Sequence, residues 1–272
     1  MRKVAKYLPV TLAVIIIIVF LGFKKNINLK GMHIHQTPHF TIYYEELDQK
    51  TLEDIERKLE TSYPDIQNFF GSNSNSKGKI IVYNTIERFQ RAYLGRILSA
   101  VYGDWAVGAA YQDTVLVTSP ENPGAHHTYD DILDVVLHEH VHTVVYQQNE
   151  MANIWLDEGV ATYLAGQESE LPPEVPEFAA MQAEDQSTFL ENDGYAFSYK
   201  YVEFLESTYG SEKIVQLIKT NDYEAVFGKT ALEVYTEWVL YMGEESSTKA
   251  PGTQSGSVKT GFSASLPFLM RL

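Results

Sequence analysis

Residues 135–145, "VVLHEHVHTVV", place three histidines and one glutamate inside an otherwise apolar run. Thr128 and Asp131, just upstream, have the spacing of a capping box, which predicts that the run lies on a helix. Each residue of a helix turns by about 100°, so His138 and His142 point to within roughly 40° of each other. The stretch therefore predicts a helix with two imidazoles on one face.

These two histidines have the spacing of the H-E-x-x-H zinc site. His138 and His142 can hold one zinc ion, and Glu139, on the flank of the same face, is the candidate general base. His140 points away from that face, so we expect it to be a packing or surface residue. The alternative is that the histidines are polar positions on a structural helix, because the motif also arises by chance in a chain with 8 histidines.

A second segment supplies the missing ligand. Catalytic zinc sites have three protein ligands and an open position for water. Glu158 lies in "IWLDEGVATYLAG" (154–166), which is also helical in pattern. A helical hairpin of this length can bring Glu158 back against His138 and His142. The sequence therefore predicts a metal site made by these three side chains.

Together the two segments resemble the gluzincin metallopeptidases, and within them the small peptidase-MA-like domains. In that family, H-E-x-x-H is followed by W-L-x-E-G-x-A-x-Y, whose glutamate completes the site. The matching positions here are Trp155, Leu156, Glu158, Gly159, Ala161 and Tyr163. The resemblance covers about 38–241. It implies an α+β, zincin-like fold with a small N-terminal mixed sheet, an edge strand, an active-site helix and a C-terminal helical lobe.

The resemblance also implies a mechanism. One Zn²⁺ per chain would be held by His138, His142 and Glu158, and Glu139 would act as the base in hydrolysis of a peptide bond. Related enzymes often stabilise the oxyanion with a tyrosine or histidine from the helical lobe. In the segment "GYAFSYKYVEF", Tyr195 and Tyr199 are four residues apart on one helix face, and of these two we favour Tyr199.

The positions of Thr162 and Asp157 relative to Glu158 predict what their side chains contact. Thr162 lies one turn after Glu158, where gluzincins commonly place a side chain that bonds a ligand histidine. We therefore expect its hydroxyl to accept such a bond. Asp157 precedes the ligand and points elsewhere on the helix, so we expect it to be a surface charge.

The rest of the sequence predicts strands mixed with helices in the N-terminal part and helices alone in the C-terminal part. This order favours an α+β body with a helical second lobe. The predicted strands are 39–44, 77–83 and 114–120. The resemblance implies that Gly108–Tyr111 is an edge strand that an extended peptide could join, and the alternative is an ordinary strand turn. Helices are predicted from Thr51 to a bend or end at Pro64, and at 85–95, 195–209, 211–220 and 230–242. The peptidase domain is therefore expected at 31–242. A disordered Gly/Ser/Thr-rich tail is expected at 243–272.

The first thirty residues predict a membrane anchor and tether. Residues 7–23, "YLPVTLAVIIIIVFLGF", form an apolar run at the short end of what spans a bilayer, and Arg2, Lys3 and Lys6 precede it. No small-x-small cleavage pattern follows, which favours an uncleaved signal-anchor over a cleaved signal peptide. We therefore expect residues 1–30 to hold a single-pass protein in the cell membrane, with the catalytic domain outside the cytoplasm. A cleaved signal would make the protein secreted.

Composition limits the partners. The chain is 44% hydrophobic with a net charge of −15, which indicates a globular protein and argues against nucleic-acid binding. It has no cysteine, which excludes disulfides, zinc–thiolate sites and thiol nucleophiles. The expected partner is a peptide or protein substrate. Two other functions fit the same residues: a catalytically weak zincin-fold module for binding or assembly, and a zinc hydrolase of non-peptide amides.

Overall fold

The computed structural model describes residues 27–71, 77–95 and 106–248. They form an α+β structure with a small mixed sheet followed by a helical lobe, as the sequence predicts. In this part of the chain no helix is both long and apolar enough to cross a membrane. The predicted anchor at 7–23 lies outside the described residues, as does most of the predicted tail.

Five strands and ten helices follow one another in the described residues. The N-terminal elements are β1 (His33–Gln36), β2 (Phe40–Tyr44), α1 (Gln49–Phe70), β3 (Gly78–Tyr83), α2 (Ile86–Tyr93), β4 (Gly108–Tyr111) and β5 (Thr114–Thr118). The helices that follow are α3 (Tyr129–Gln148), α4 (Ile154–Ala165), α5 (Phe178–Met181), α6 (Gln186–Glu191), α7 (Gly194–Tyr209), α8 (Ser211–Thr220), α9 (Tyr223–Phe227) and α10 (Ala231–Thr248). Strands and helices thus precede an all-helical part.

The sheet has the strand order β1-β2-β3-β5-β4. Strands β2, β3 and β5 are parallel, and an antiparallel strand lies at each edge. The prediction that Gly108–Tyr111 forms an edge strand is confirmed, because within the described residues β4 pairs with β5 alone. The other edge strand, β1, was not predicted. Residues 24–37 have the composition of a short tether, and three of the four residues of β1 are exposed.

Helices cover both faces of the sheet because its strands are apolar on both sides. Along β3, Ile80 and Val82 pack with α1 and the start of α3, whereas Ile81 and Tyr83 pack with α2 on the opposite face. Such doubly buried strands read as continuous apolar runs, which is the pattern of "KIIVY" (79–83). The face that carries α3 is the one that positions the histidines.

Helix α3 lies between the sheet and the helical lobe. Ile132, Val135 and Val136 pack towards the sheet, whereas Leu137 and Val141 belong to the core of the lobe. Residues 135–145 are all buried, so the stretch has no solvent-facing side along its central turns. A helix that is apolar all round is a buried helix. The charged and polar atoms of residues 138–142 are therefore placed in the interior between two layers.

Several element boundaries differ from the sequence predictions. Helix α1 begins at Gln49 and is capped by Asp48, whose carboxylate accepts from the Thr51 backbone N–H, rather than by Thr51 itself. The prediction was a bend or an end at Pro64, and the helix does not end there, since it continues through Pro64 to Phe70. Helix α10 continues to Thr248, past the predicted domain end at residue 242. The capping box of Thr128 and Asp131 on α3 is confirmed.

One glycine sets the distance between α4 and α7. A Cβ atom on Gly159 would lie 2.6 Å from the Ser198 carbonyl oxygen and 2.7 Å from Val202 Cγ2. Because one of these atoms is backbone, it cannot rotate away. Gly159 therefore allows α7 to pack directly on the helix that carries Glu158.

We expect Gly159→Ala to destabilise the protein by about 1–3 kcal/mol, the usual range for overpacking a filled core. Alanine's higher helix propensity offsets at most about 1 kcal/mol of this. Urea unfolding followed by circular dichroism measures the change. Gly243→Ala on α10 is the matched control, because a Cβ there meets no atom within 4 Å. Equal stabilities of the two variants would mean that α4 and α7 are not closely packed.

Candidate metal centre

Helices α3 and α4 bring His138, His142 and Glu158 together, as the sequence predicts. One donor atom from each residue lies within 4.8 Å of the other two, and all three residues are buried. Glu158 Oε2 is 3.3 Å from His138 Nε2 and 3.4 Å from His142 Nε2, and the two Nε2 atoms are 3.0 Å apart. This group can hold a metal ion.

Two other side chains fix the orientation of the imidazoles. His142 Nδ1 donates to Asp157 Oδ1 at 2.8 Å, and His138 Nδ1 lies 2.8 Å from the amide oxygen of Gln167. Each hydrogen bond at Nδ1 selects the imidazole form whose Nε2 carries a free lone pair when the ring is neutral. Both Nε2 atoms are thereby directed at the same point.

The electrostatics of this group require a positive charge at its centre. Two nitrogen lone pairs and the Glu158 carboxylate converge in a dry site, and all three atoms are electron-rich. Burial disfavours a charged His142, but Asp157 and Glu158 outweigh burial and raise its pKa well above the usual value. Burial likewise opposes the Glu158 carboxylate, yet His142 and His138 keep its pKa well below the usual range. Either a proton on His142 or a metal ion meets this requirement, so the donor set fits a cation.

Glu139 lies beside the group and has a free oxygen. It is 3% exposed, and its Oε2 has no hydrogen-bond partner among the described residues. Burial raises the pKa of Glu139 despite the opposing effect of His142 and His138. A Cβ atom on Gly108 would lie 2.3 Å from Val135 Cγ1 and 3.1 Å from Glu139 Cγ. The edge strand β4 therefore passes directly over the carboxylate.

Tyr195 is the tyrosine of α7 whose pKa is raised, beyond the effect of burial, by Glu158 and Glu139, whereas the sequence favoured Tyr199. The Tyr195 hydroxyl is buried, and burial, together with Glu158 and Glu139, raises its pKa. Gln186 is the neighbouring polar side chain, but the two do not form a hydrogen bond of normal geometry. Tyr199 instead packs against Tyr163, with ring centroids 5.4 Å apart. In addition to burial, the acidic residues Glu168 and Glu203 raise the pKa of Tyr199.

Three predictions about the surrounding residues have different outcomes. The Thr162 hydroxyl donates to the Glu158 and Gly159 carbonyl oxygens of its own helix rather than bonding a histidine. Asp157 is buried at 9% exposure and bonds His142, so the prediction of a surface charge is wrong. His140 lies outside the ligand group and packs edge-on against Phe40, as expected of a packing residue. Its burial lowers its pKa to about 4.

Gln167 is a residue of this site that was not predicted from the sequence. It follows Gly166, whose left-handed conformation ends α4, and it is 5% exposed. The available signal was its place directly after the glycine that ends a helix. Whether such a residue is buried or exposed depends on tertiary packing, which the sequence does not show. Sequence alone predicts the ligands better than the groups that orient them.

No protein-family model matches the chain, and no curated protein sequence is similar to it.

Proposed function

We propose that the protein is a zinc-dependent metallopeptidase of the gluzincin type, with a zincin-like fold. The observation that carries the proposal is the convergence of His138, His142 and Glu158 beside a buried carboxylate, Glu139, that has a free oxygen. Two imidazoles and one carboxylate are a ligand set that suits zinc, and three protein ligands leave a position for water. The mixed sheet with an antiparallel edge strand beside the helix agrees with the proposal.

The residues divide the chemistry between them. When bound, zinc would supply a Lewis acid that polarises the scissile carbonyl and acidifies a water molecule. Glu139 accepts the proton of the attacking water and passes it to the leaving amine. Its burial raises its pKa, which makes it a stronger base than an exposed glutamate. The Tyr195 hydroxyl donates to the oxyanion, and the dry surroundings strengthen that hydrogen bond.

Strand β4 offers a place for the substrate backbone. In the described part of the chain it is an edge strand paired with β5, and an extended peptide can add to an edge strand through main-chain hydrogen bonds. Gly108 lets that edge approach Glu139 closely. We place the substrate outside the cytoplasm, because residues 7–23 have the composition of a membrane anchor and the domain that follows the anchor is expected on that side.

The experiment is peptide cleavage by residues 31–272, beside the full chain in detergent. Zinc content is measured first, and a diverse peptide mixture is then analysed by mass spectrometry. We expect about one zinc per chain, peptide cleavage, loss of cleavage with a chelator and recovery with Zn²⁺. Zinc binding without cleavage of peptides but with cleavage of simple amides would favour the non-peptide hydrolase. Zinc binding with neither would favour a binding module.

Tyr195→Phe tests the oxyanion donor. We expect turnover to fall by about 10²–10³-fold, because loss of one oxyanion-hole donor has that effect. Stability should stay equal or rise, since the variant removes a buried hydroxyl that lacks a normal hydrogen bond. Tyr199→Phe is the matched control and should leave turnover nearly unchanged. If the control loses activity and Tyr195→Phe does not, the sequence-based choice of Tyr199 was correct.

A further inference from the structure

We infer that Gln167 is a positioning residue that holds His138 in its metal-binding orientation, and that Lys200 keeps Gln167 in place. The inference rests on the proposed metal site. His138 Nδ1 lies 2.8 Å from Gln167 Oε1, and both side chains are buried. Gln167 thereby does for His138 what Asp157 does for His142.

The backbone of Gln167 is fixed by the end of the helix that carries Glu158. Helix α4 ends in a Schellman motif: the Gly166 N–H donates to the Tyr163 carbonyl, and the Gln167 N–H donates to the Thr162 carbonyl. Gly166 has the left-handed conformation, with φ of 71°, that this motif requires. The metal ligand Glu158 and the partner of His138 therefore belong to one rigid unit.

The next residue is fixed to α7. Lys200 is buried, and its Nζ lies 2.9 Å from Glu168 Oε1 and 2.8 Å from Glu203 Oε2. Since Glu168 directly follows Gln167, this ion pair links the start of the acidic loop (167–177) to α7. Helix α7 also carries Tyr195, so one helix holds both the proposed oxyanion donor and the support for His138.

The choice of an amide rather than a carboxylate has a chemical reason. The Nε2 atom of Gln167 is buried without a hydrogen-bond partner among the described residues, which is unfavourable for folding. A glutamate would avoid that unpaired donor but would add a carboxylate to a site that already contains Glu139, Asp157 and Glu158. The added negative charge would reduce the Lewis acidity of a bound metal. Glutamine accepts the bond from His138 without adding charge.

The test is zinc affinity and zinc release, measured by competition with a chromogenic chelator on the native protein and on variants. Gln167→Leu keeps the volume but removes the acceptor, and we expect affinity to fall by about 10- to 100-fold, as for other outer-shell changes. Gln167→Glu restores the acceptor and should restore affinity while lowering turnover. Gln147→Leu, at an exposed position of α3, is the matched control and should change neither.

The outcomes separate this inference from the proposed function. If the native protein binds no zinc, the metal site itself is wrong. If the native protein binds zinc and Gln167→Leu binds and releases it equally, Gln167 does not position His138. Lys200→Met retains the Gln167 side chain but removes the ion pair with Glu168, and it should release zinc several-fold faster, within the range of outer-shell effects. Release at the native rate from this variant would overturn the role of Lys200 even if Gln167→Leu were unfolded.

Discussion

Glu139→Gln is expected to abolish peptide hydrolysis while leaving about one zinc ion on each chain. Glutamine has nearly the shape of glutamate, so it fits between α3 and β4, where Gly108 leaves room for the side chain. It cannot accept the proton of the attacking water. General-base catalysis contributes about 10²–10⁴-fold to the rate, so turnover should fall by at least that factor.

Metal analysis and steady-state kinetics on the same preparation measure both parts of this result. Glu174→Gln makes the same chemical change at an exposed position of the acidic loop, and should keep native zinc content and turnover. Zinc bound with native turnover in Glu139→Gln would mean that another group removes the proton. Loss of zinc would instead mean that Glu139 is a ligand.

The convergence of His138, His142 and Glu158 could be predicted from the sequence because their spacing is local. The i, i+4 pair His138 and His142 depends only on helical geometry, and the hairpin that returns Glu158 is short. The edge strand Gly108–Tyr111 was predicted from the family resemblance, and its partner β5 follows it directly in the chain. Each of these predictions needs information from one or two neighbouring elements and no long-range packing.

The supporting residues could not be predicted for the opposite reason. Whether Asp157 faces solvent or His142 depends on the rotation of α4 about its own axis relative to α3. Helix α4 is apolar on nearly every side, so its hydrophobic pattern does not predict that rotation. The same holds for Tyr195 and Tyr199, which are one turn apart on α7. The close contact between Gly159 and Ser198 sets the approach of the two helices. That contact becomes visible only when both helices are in place.

Pro64 shows how tertiary packing overrides a local preference. Proline disfavours the interior of a helix because it lacks an N–H and its ring meets the preceding turn. Helix α1 nevertheless continues to Phe70, and Ile66, Phe69 and Phe70 are buried in the core of the helical lobe. Burial of three large apolar side chains outweighs a local penalty of about 3 kcal/mol, since each contributes about 1.5–3 kcal/mol.

Glu158→Gln is expected to remove zinc from the site. The amide is a far weaker zinc ligand than the carboxylate, and its neutrality leaves the ion with two neutral imidazoles and no charged ligand. Affinity should therefore fall by more than the roughly 10- to 100-fold that is typical of changes behind the ligands. Competition with a chelator measures the affinity, with Glu174→Gln again as the matched control.

This variant and Glu139→Gln test different parts of the proposal, although the two carboxylates lie in the same site. Glu158→Gln should lose metal and activity together, and excess Zn²⁺ should restore part of both. Glu139→Gln should lose activity alone, and added zinc should not restore it. If Glu158→Gln binds zinc as tightly as the native protein, Glu158 is not the third ligand. The proximity of its Oε2 to both histidines would then be explained by an ion pair with His142 in its protonated form.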